Sequence, residues 1–89
     1  MKEFKQATEQ CHREFEHWRD QHPSGFVVNR RERGEAMLHR GRCMHLRFRP
    51  GEPVLLTRKA KYCSIDRGEL EAWAKEGRIS LVRCASCDV

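Results

Sequence analysis

The N-terminal part of the chain carries apolar residues at helical spacing. Phe4, Ala7, Cys11, Phe15 and Trp18 follow one another at intervals of three or four, with polar residues between them. This pattern is typical of an amphipathic helix and predicts one over residues 2–20. Pro23 predicts its end, because a proline disfavours helical geometry at the residue before it.

Shorter apolar runs fill the middle of the chain. Residues 25–29 and 36–39 are separated by a polar segment with one glycine, and this arrangement predicts a β-hairpin. Residues 49–53 contain two prolines and a glycine and predict a loop. Extended structure is expected over 54–57 and 61–63.

A second helix is marked by its ends. Asp66 is a suitable N-cap with Glu69 three residues later, and Gly77 marks the stop. Its predicted apolar face consists of Leu70, Trp73 and Ala74. Residues 79–82 then form a short extended segment. These elements predict the α+β class in a single domain, 1–89, made of an N-terminal helix and turn (1–24) and a core (25–89).

The predicted core joins the first helix to the sheet and to the second helix. We expect contacts between two sets of residues: Phe4, Phe15 and Trp18 on one side, and Val28, Leu38, Leu55 and Trp73 on the other. Only 38% of the 89 residues are hydrophobic, whereas 35% are charged. A chain this small and polar needs an additional cross-link to fold stably.

Five cysteines and five histidines can supply that cross-link. No apolar run approaches the ~18 residues that span a bilayer, and the first residues lack the apolar segment of a signal peptide. We therefore expect a cytoplasmic protein that does not enter the membrane. Reducing conditions there, together with an odd number of cysteines, favour metal binding over disulfides.

The strongest motif is His39-x3-Cys43 together with Cys84-x2-Cys87. Three thiolates and one imidazole form a common closed tetrahedral zinc set. Thiolate ligands also favour zinc over magnesium or calcium. The sequence therefore predicts one structural Zn²⁺ that joins the central hairpin to the C-terminal segment.

The remaining cysteines and histidines are weaker candidates for ligands. Cys63 is an alternative to His39 and would make an all-cysteine site, whereas Cys11 lies on the helical stripe and is expected to pack in the core. His45 and Cys43 lie on one face only if their segment is extended, and that arrangement leaves little room for a shared ion. His12, His17 and His22 are expected to be solvated around the first helix.

Catalytic chemistry is not expected. A thioredoxin-like Cys-x2-Cys opens a helix after a strand, whereas Cys84-x2-Cys87 is followed by only two residues. A Cys-His hydrolase needs a deep pocket with a third orienting group. A catalytic zinc keeps an open coordination position, and four good ligands close the site.

At these motifs the chain resembles a known family. The segment from Phe26 through Leu38-His39-Arg40-Gly41-Arg42-Cys43, the strand to Tyr62, the helix 69–74 and Cys84-x2-Cys87 are similar to the zinc-binding N-terminal domain of the Ada methyl-phosphotriester repair protein. They also resemble small bacterial Ada-like metal-binding proteins. The resemblance covers about residues 25–88. It implies a hairpin, a further strand and a helix around one zinc, with DNA as the usual partner.

One departure from the family limits what the resemblance implies. In the repair domain, the position that corresponds to His39 is the cysteine that accepts the methyl group. An imidazole bound to zinc does not replace a thiolate nucleophile. We therefore expect the fold and the metal to carry over, and the repair reaction not to.

The formal net charge of +5 is concentrated in residues 30–61, which carry a net charge of +7. Candidate contacts to nucleic acid are Arg30, Arg31, Arg33, Arg40, Arg42 and Arg47. Arginine binds phosphate oxygens through two parallel hydrogen bonds, and backbone contacts of this kind do not select a sequence. Non-specific DNA binding is the leading prediction, and an interaction module for an acidic protein surface is the alternative.

Overall fold

The computed structural model describes residues 1–31, 33–47, 55–87 and 89. The predicted α+β class is confirmed. The strands are β1 (Lys2–Phe4), β2 (Phe26–Arg30), β3 (Glu35–Arg40), β4 (Lys61–Ser64) and β5 (Ser80–Arg83), and the helices are α1 (Glu9–Gln21) and α2 (Arg67–Glu76). Two 3₁₀ turns cover Met44–Leu46 and Leu56–Arg58.

The five strands form one sheet in the order β1-β4-β2-β3-β5. The pairs β1–β4, β2–β4 and β2–β3 are antiparallel, whereas β3 and β5 run parallel. The predicted hairpin is therefore present as β2–β3. Because β3 and β5 run parallel, the chain leaves both strands at the same end of the sheet.

The two helices cover opposite faces of this sheet. Val27 lies in a buried cluster with Phe4 and Phe15, on the α1 side. Its neighbour Val28 lies in a second cluster with Leu70 of α2. Successive residues of a strand point to opposite faces, so both valines are fully buried under different helices.

This layering corrects the predicted core. Phe4 and Phe15 contact each other edge to face at 5.7 Å between ring centroids, on the α1 side of the sheet. Leu38 and Trp73, their expected partners, pack on the α2 side. The apolar pattern identified core residues but could not assign them to one of two buried faces.

The first helix begins later than predicted. Lys2–Phe4 pairs with β4 as an edge strand, and α1 starts after Thr8, whose hydroxyl accepts a hydrogen bond from the Cys11 N–H at 3.1 Å. Threonine is a favoured N-cap because it satisfies one unpaired N–H of the first turn. The helical spacing of Phe4 and Ala7 was therefore coincidental.

Two polar residues of α1 are buried and form hydrogen bonds to the two 3₁₀ turns. His12 is 8% exposed, and its Nδ1 accepts a hydrogen bond from the Leu56 N–H at 2.9 Å. Arg19 is 5% exposed and donates to the Leu46 carbonyl at 2.8 Å. The expectation that His12 is solvated was wrong, because it packs under the segment that begins at residue 55.

The second helix matches its predicted ends. Asp66 caps it and accepts from the Gly68 N–H at 2.9 Å. Gly77 is the C-cap, but the left-handed conformation is taken by Arg78, at φ 54°. Leu56–Arg58 is a 3₁₀ turn, where extended structure was expected. The predicted loop at 49–53 and position 54 lie outside the described residues. Neither α1 nor α2 has the length and apolar character needed to cross a membrane.

Lys61 is a buried cation on the α1 side of the sheet. It is 5% exposed, and its Nζ donates to Asn29 Oδ1 at 2.6 Å and to the carbonyls of Leu56 and Lys59 at 2.7 and 3.1 Å. All three acceptors are neutral. Burial lowers the pKa of Lys61 to about 8, together with the charge of Lys59 and against the raising influence of Cys63.

This lowered pKa predicts how stability depends on pH. Between about pH 8 and the ordinary lysine pKa of 10.5, the unfolded chain binds the proton that the folded chain has lost. The contribution of Lys61 to the free energy of unfolding therefore rises with pH across this window, by up to about 3 kcal/mol. Urea unfolding at several pH values would measure this as the difference between the wild type and Lys61→Met, and a difference independent of pH would contradict it.

Candidate metal centre

Four side chains converge at the end of the sheet where β3 and β5 finish. The ligand atoms of His39, Cys43, Cys84 and Cys87 all lie within 4.8 Å of one another. Their exposures are 3%, 2%, 4% and 9%, so the whole group is shielded from solvent. The cluster consists of the four residues that the motif spacing predicted.

The parallel pairing of β3 and β5 brings the two halves of the cluster together. Leu38 pairs with Arg83, and the Cys84 N–H donates to the Leu38 carbonyl at 2.9 Å. Continuing this register by one residue sets His39 beside Cys84. Neighbouring strands are about 4.8 Å apart, which suits two side chains that share one ion.

The turn between His39 and Cys43 is fastened to the end of α1. The Gly41 N–H donates to the Gly25 carbonyl at 2.8 Å, and the Arg42 N–H donates to the Pro23 carbonyl at 3.1 Å. A Cβ on Gly41 would lie 2.2 Å from the His22 carbonyl oxygen. Glycine is required here because two backbone segments touch.

The geometry fits a tetrahedral metal ion. Cys43 Sγ and Cys84 Sγ are 3.9 Å apart. Metal–sulfur bonds of about 2.3 Å at tetrahedral angles set neighbouring sulfurs roughly 3.8 Å apart. In addition, the Arg40 N–H donates to Cys87 Sγ at 3.4 Å, a contact that stabilises a thiolate.

An unpartnered ring nitrogen of His39 independently supports metal binding at this site. Its Nδ1 is buried and has no hydrogen-bond partner among the residues that the structure describes. Burial, with smaller contributions from the charges of His45, Lys61 and Arg31, lowers the pKa of His39 to about 4. The imidazole is therefore neutral near pH 7 and has a lone pair that can bind a metal ion.

The thiols of the cluster differ in acidity. Burial raises the pKa of Cys43 to about 12. Burial also raises the pKa of Cys84, but hydrogen bonds from the His45 side chain, the Ser86 backbone and the two neighbouring thiols outweigh it and lower the pKa to about 7. Cys84 therefore deprotonates more readily than Cys43, and metal binding must displace the proton of Cys43.

Cys63 is not part of the cluster. It pairs with Val27 across β4 and β2, and Val27 pairs with His39 across β2 and β3. Two strand spacings, roughly 10 Å, therefore separate the backbones at Cys63 and His39. Burial raises the pKa of the Cys63 thiol to about 12, as expected for a packed core residue. The four-cysteine alternative is not the arrangement found.

The other histidines and Cys11 lie elsewhere. Cys11 is partly buried and packs against the α1-side core, in agreement with the prediction. His17 is exposed. His22 stacks on Trp18 at 4.5 Å between ring centroids, and its Nδ1 donates to the Trp18 carbonyl at 2.9 Å.

His45 was missed as a neighbour of the cluster. It lies in the first 3₁₀ turn, and its Nδ1 is 3.5 Å from Cys84 Sγ. The sequence pattern of this segment was ambiguous, and His45 was considered only as a partner of its near neighbour Cys43. The 3₁₀ turn instead places His45 beside Cys84.

The candidate arginines form two groups rather than one face. Arg30, Arg31 and Arg33 lie at the turn end of the hairpin, whereas Arg40, Arg42 and Arg47 lie at the metal end. Arg30 pairs with Ala36 and Arg40 with Phe26, so the groups are roughly 13 Å apart along β3. The fold therefore keeps the arginines of the hairpin turn apart from those at the metal end.

The two groups also differ in their neighbours. At the turn end, Arg31 forms an ion pair with Glu35 at 3.4 Å, and Arg30 lies over the Trp73 ring at 6.0 Å. At the metal end, Arg42 is exposed. Arg83, which the sequence interpretation did not include, is exposed directly before Cys84. Its position beside a predicted ligand was the signal that could have identified it.

The cluster predicts a single bound transition-metal ion per chain. His39→Ala and Cys84→Ala should lose the ion or bind it much more weakly, because each removes one of four ligands. Cys63→Ala and Cys11→Ala should retain it. Metal analysis of protein purified without added metal would test this, and loss of the ion from Cys63→Ala but not from His39→Ala would contradict the arrangement.

Gly41→Ala should destabilise the fold and weaken metal binding together. The added methyl group would overlap a backbone oxygen that cannot rotate away, and overpacking of this kind costs about 2 kcal/mol. Gly34→Asn is the matched control, since Gly34 has φ 81°, nothing described lies within 4 Å of its Cβ position, and asparagine tolerates this conformation. Equal urea midpoints for Gly41→Ala and the wild type would refute the close approach.

Comparison with known proteins provides no relative on which to base an assignment. No family model, no curated protein and no solved structure matches this chain. The resemblance of residues 25–88 to the Ada metal-binding domain therefore stays a prediction. A functional assignment therefore rests on the buried cluster of three cysteines and one histidine in this small α+β domain.

Proposed function

We propose that this chain is a structural-zinc domain that binds the phosphate backbone of nucleic acid. The observation that carries the zinc assignment is the buried cluster of His39, Cys43, Cys84 and Cys87. Three thiolates favour zinc over hard divalent cations, and the near-tetrahedral spacing suits its preferred geometry.

The role of the ion is structural in this proposal. Four protein ligands fill the coordination sphere and leave no position for a substrate or an activated water molecule. When bound, zinc supplies a cross-link between the end of β3 and the end of β5. Ligands that assemble only in the folded chain convert binding energy into folding energy, which offsets a small hydrophobic core.

The arginines at the metal end support nucleic acid as the partner. Arg40 and Arg42 lie within the turn between His39 and Cys43, and Arg83 directly precedes Cys84. Both halves of the metal cluster therefore carry basic side chains. An ion that joins these halves also sets the spacing of the arginines, so phosphate binding and metal binding are coupled.

Sequence-independent binding follows from the elements available. α2 packs on the sheet through Leu70 and Ala74 and bears Glu69, Glu71 and Glu76 against Arg67 and Lys75. Such a helix is not suited to enter a DNA groove. Arginine forks bind phosphate oxygens wherever the backbone passes, which gives affinity that depends strongly on salt.

Zinc-loaded protein should bind a fluorescent 20-base-pair DNA duplex, with an affinity that falls steeply between about 50 and 200 mM salt. The double variant Arg42→Ser/Arg83→Ser should reduce the slope of log affinity against log salt by about 2, since each lost phosphate contact removes about one unit. Chelation of the metal should abolish binding.

Arg13→Ser is the matched control. Arg13 is exposed on α1 with its ion-pair partner Glu9, away from the cluster, and its removal should leave the slope unchanged. Absence of wild-type binding at 50 mM salt would refute the proposal. Retention instead by an acidic protein surface would favour the interaction-module alternative.

A further inference from the structure

A fifth side chain of a type that can bind metal, His45, lies exposed beside the cluster. His45 Nδ1 is 3.5 Å from Cys84 Sγ. In a tetrahedral site with metal–sulfur bonds of about 2.3 Å and metal–nitrogen bonds of about 2.0 Å, the ligand nitrogen and sulfur are roughly 3.5 Å apart. His45 is therefore as close to Cys84 as a true ligand would be.

His45 and His39 differ in their access to solvent. His39 is 3% exposed on β3, whereas His45 is exposed on the 3₁₀ turn Met44–Leu46. Their ring centroids are 6.3 Å apart, with the rings nearly perpendicular. A metal ion that arrives from solvent therefore meets His45 before it meets His39.

The segment that carries His45 is held at both ends. The Cys43 N–H donates to the Arg40 carbonyl at 2.9 Å, and Arg19 of α1 donates to the Leu46 carbonyl at 2.8 Å. The contact between His45 and Cys84 is therefore part of a fastened turn rather than a chance approach of a free loop.

We propose that His45 is an entry ligand, which binds the metal ion together with Cys84 at the surface and then yields its place to His39. This inference rests on the proposed metal site and adds to it a route for loading and release. In the exchange, the bond from the metal to His45 Nδ1 breaks as the bond to a His39 nitrogen forms. The thiol protons of the cysteines pass to water or buffer.

An entry ligand has a kinetic signature that distinguishes it from an ordinary supporting contact. It lowers the barrier for binding and release alike, so loss of the entry role slows both rates and does not by itself change the equilibrium affinity. A histidine that only donates a hydrogen bond to the Cys84 thiolate acts differently, because its loss weakens metal affinity, typically 10- to 100-fold, and speeds release.

The decisive experiment follows zinc transfer between the full-length protein and a chromophoric chelator in both directions, for the wild type and His45→Ala. We expect His45→Ala to slow both loading and release, loading by about tenfold and release by less, because loss of the contact with Cys84 also weakens the affinity. Met44→Ala is the matched control on the same 3₁₀ turn, since Met44 is 71% exposed, and it should behave as the wild type. His45→Asp retains a metal-binding oxygen and should restore most of the rate.

Cobalt absorption spectra complete the test. The Co²⁺ spectrum should be tetrahedral and unchanged in His45→Ala, and altered in His39→Ala. Faster release with weaker affinity in His45→Ala, or rates equal to those of the wild type, would overturn the entry role. A spectrum altered by His45→Ala but not by His39→Ala would make His45 a permanent ligand and also overturn it. A wild-type protein that binds no metal would instead refute the proposed site itself.

Discussion

The parallel pairing of β3 and β5 is the constraint on which the rest of the molecule depends. It is the one parallel pair in the described sheet, and it directs both strands to finish at the same end. His39 and Cys43 follow from one strand, and Cys84 and Cys87 follow from the other. A parallel pair needs a long crossover connection, and the chain between β3 and β5, with β4 and α2, supplies it. An antiparallel β3–β5 pair would send the two halves of the cluster to opposite ends of the sheet.

A second set of contacts ties α1 to the segments on either side of 48–54. His12 accepts a hydrogen bond from Leu56, and Arg19 donates one to the Leu46 carbonyl. These buried polar groups add little net free energy each, but an unmade bond at a buried site is costly. They therefore hold the two 3₁₀ turns, Met44–Leu46 and Leu56–Arg58, against α1. In the same way, Gly41 allows the turn between the first two ligands to rest on the end of α1.

The metal cluster was largely predictable from sequence, because its ligands come in two local pairs. The spacing of His39 and Cys43, and of Cys84 and Cys87, lets each pair point at one ion without knowledge of the fold. The choice between His39 and Cys63 could not be made locally, since it depends on which strands are neighbours. β2 lies between β3 and β4 in the sheet, and this separates Cys63 from the cluster. His45 was missed for a related reason, because its contact with Cys84 joins residues far apart in the chain.

The sequence by itself determined the elements whose signals are short-range: the hairpin β2–β3, the Asp66 cap and body of α2, the α+β class and the two ligand pairs. Caps, turns and motif spacings depend on interactions between residues that are close together in the sequence, so the sequence pattern alone can reveal them. Only the tertiary structure decided the start of α1, the face of the sheet that each helix covers, and the burial of His12 and Lys61. Those features depend on strand order and on which of two alternating faces receives a helix, and both are settled by packing between residues that are distant along the chain.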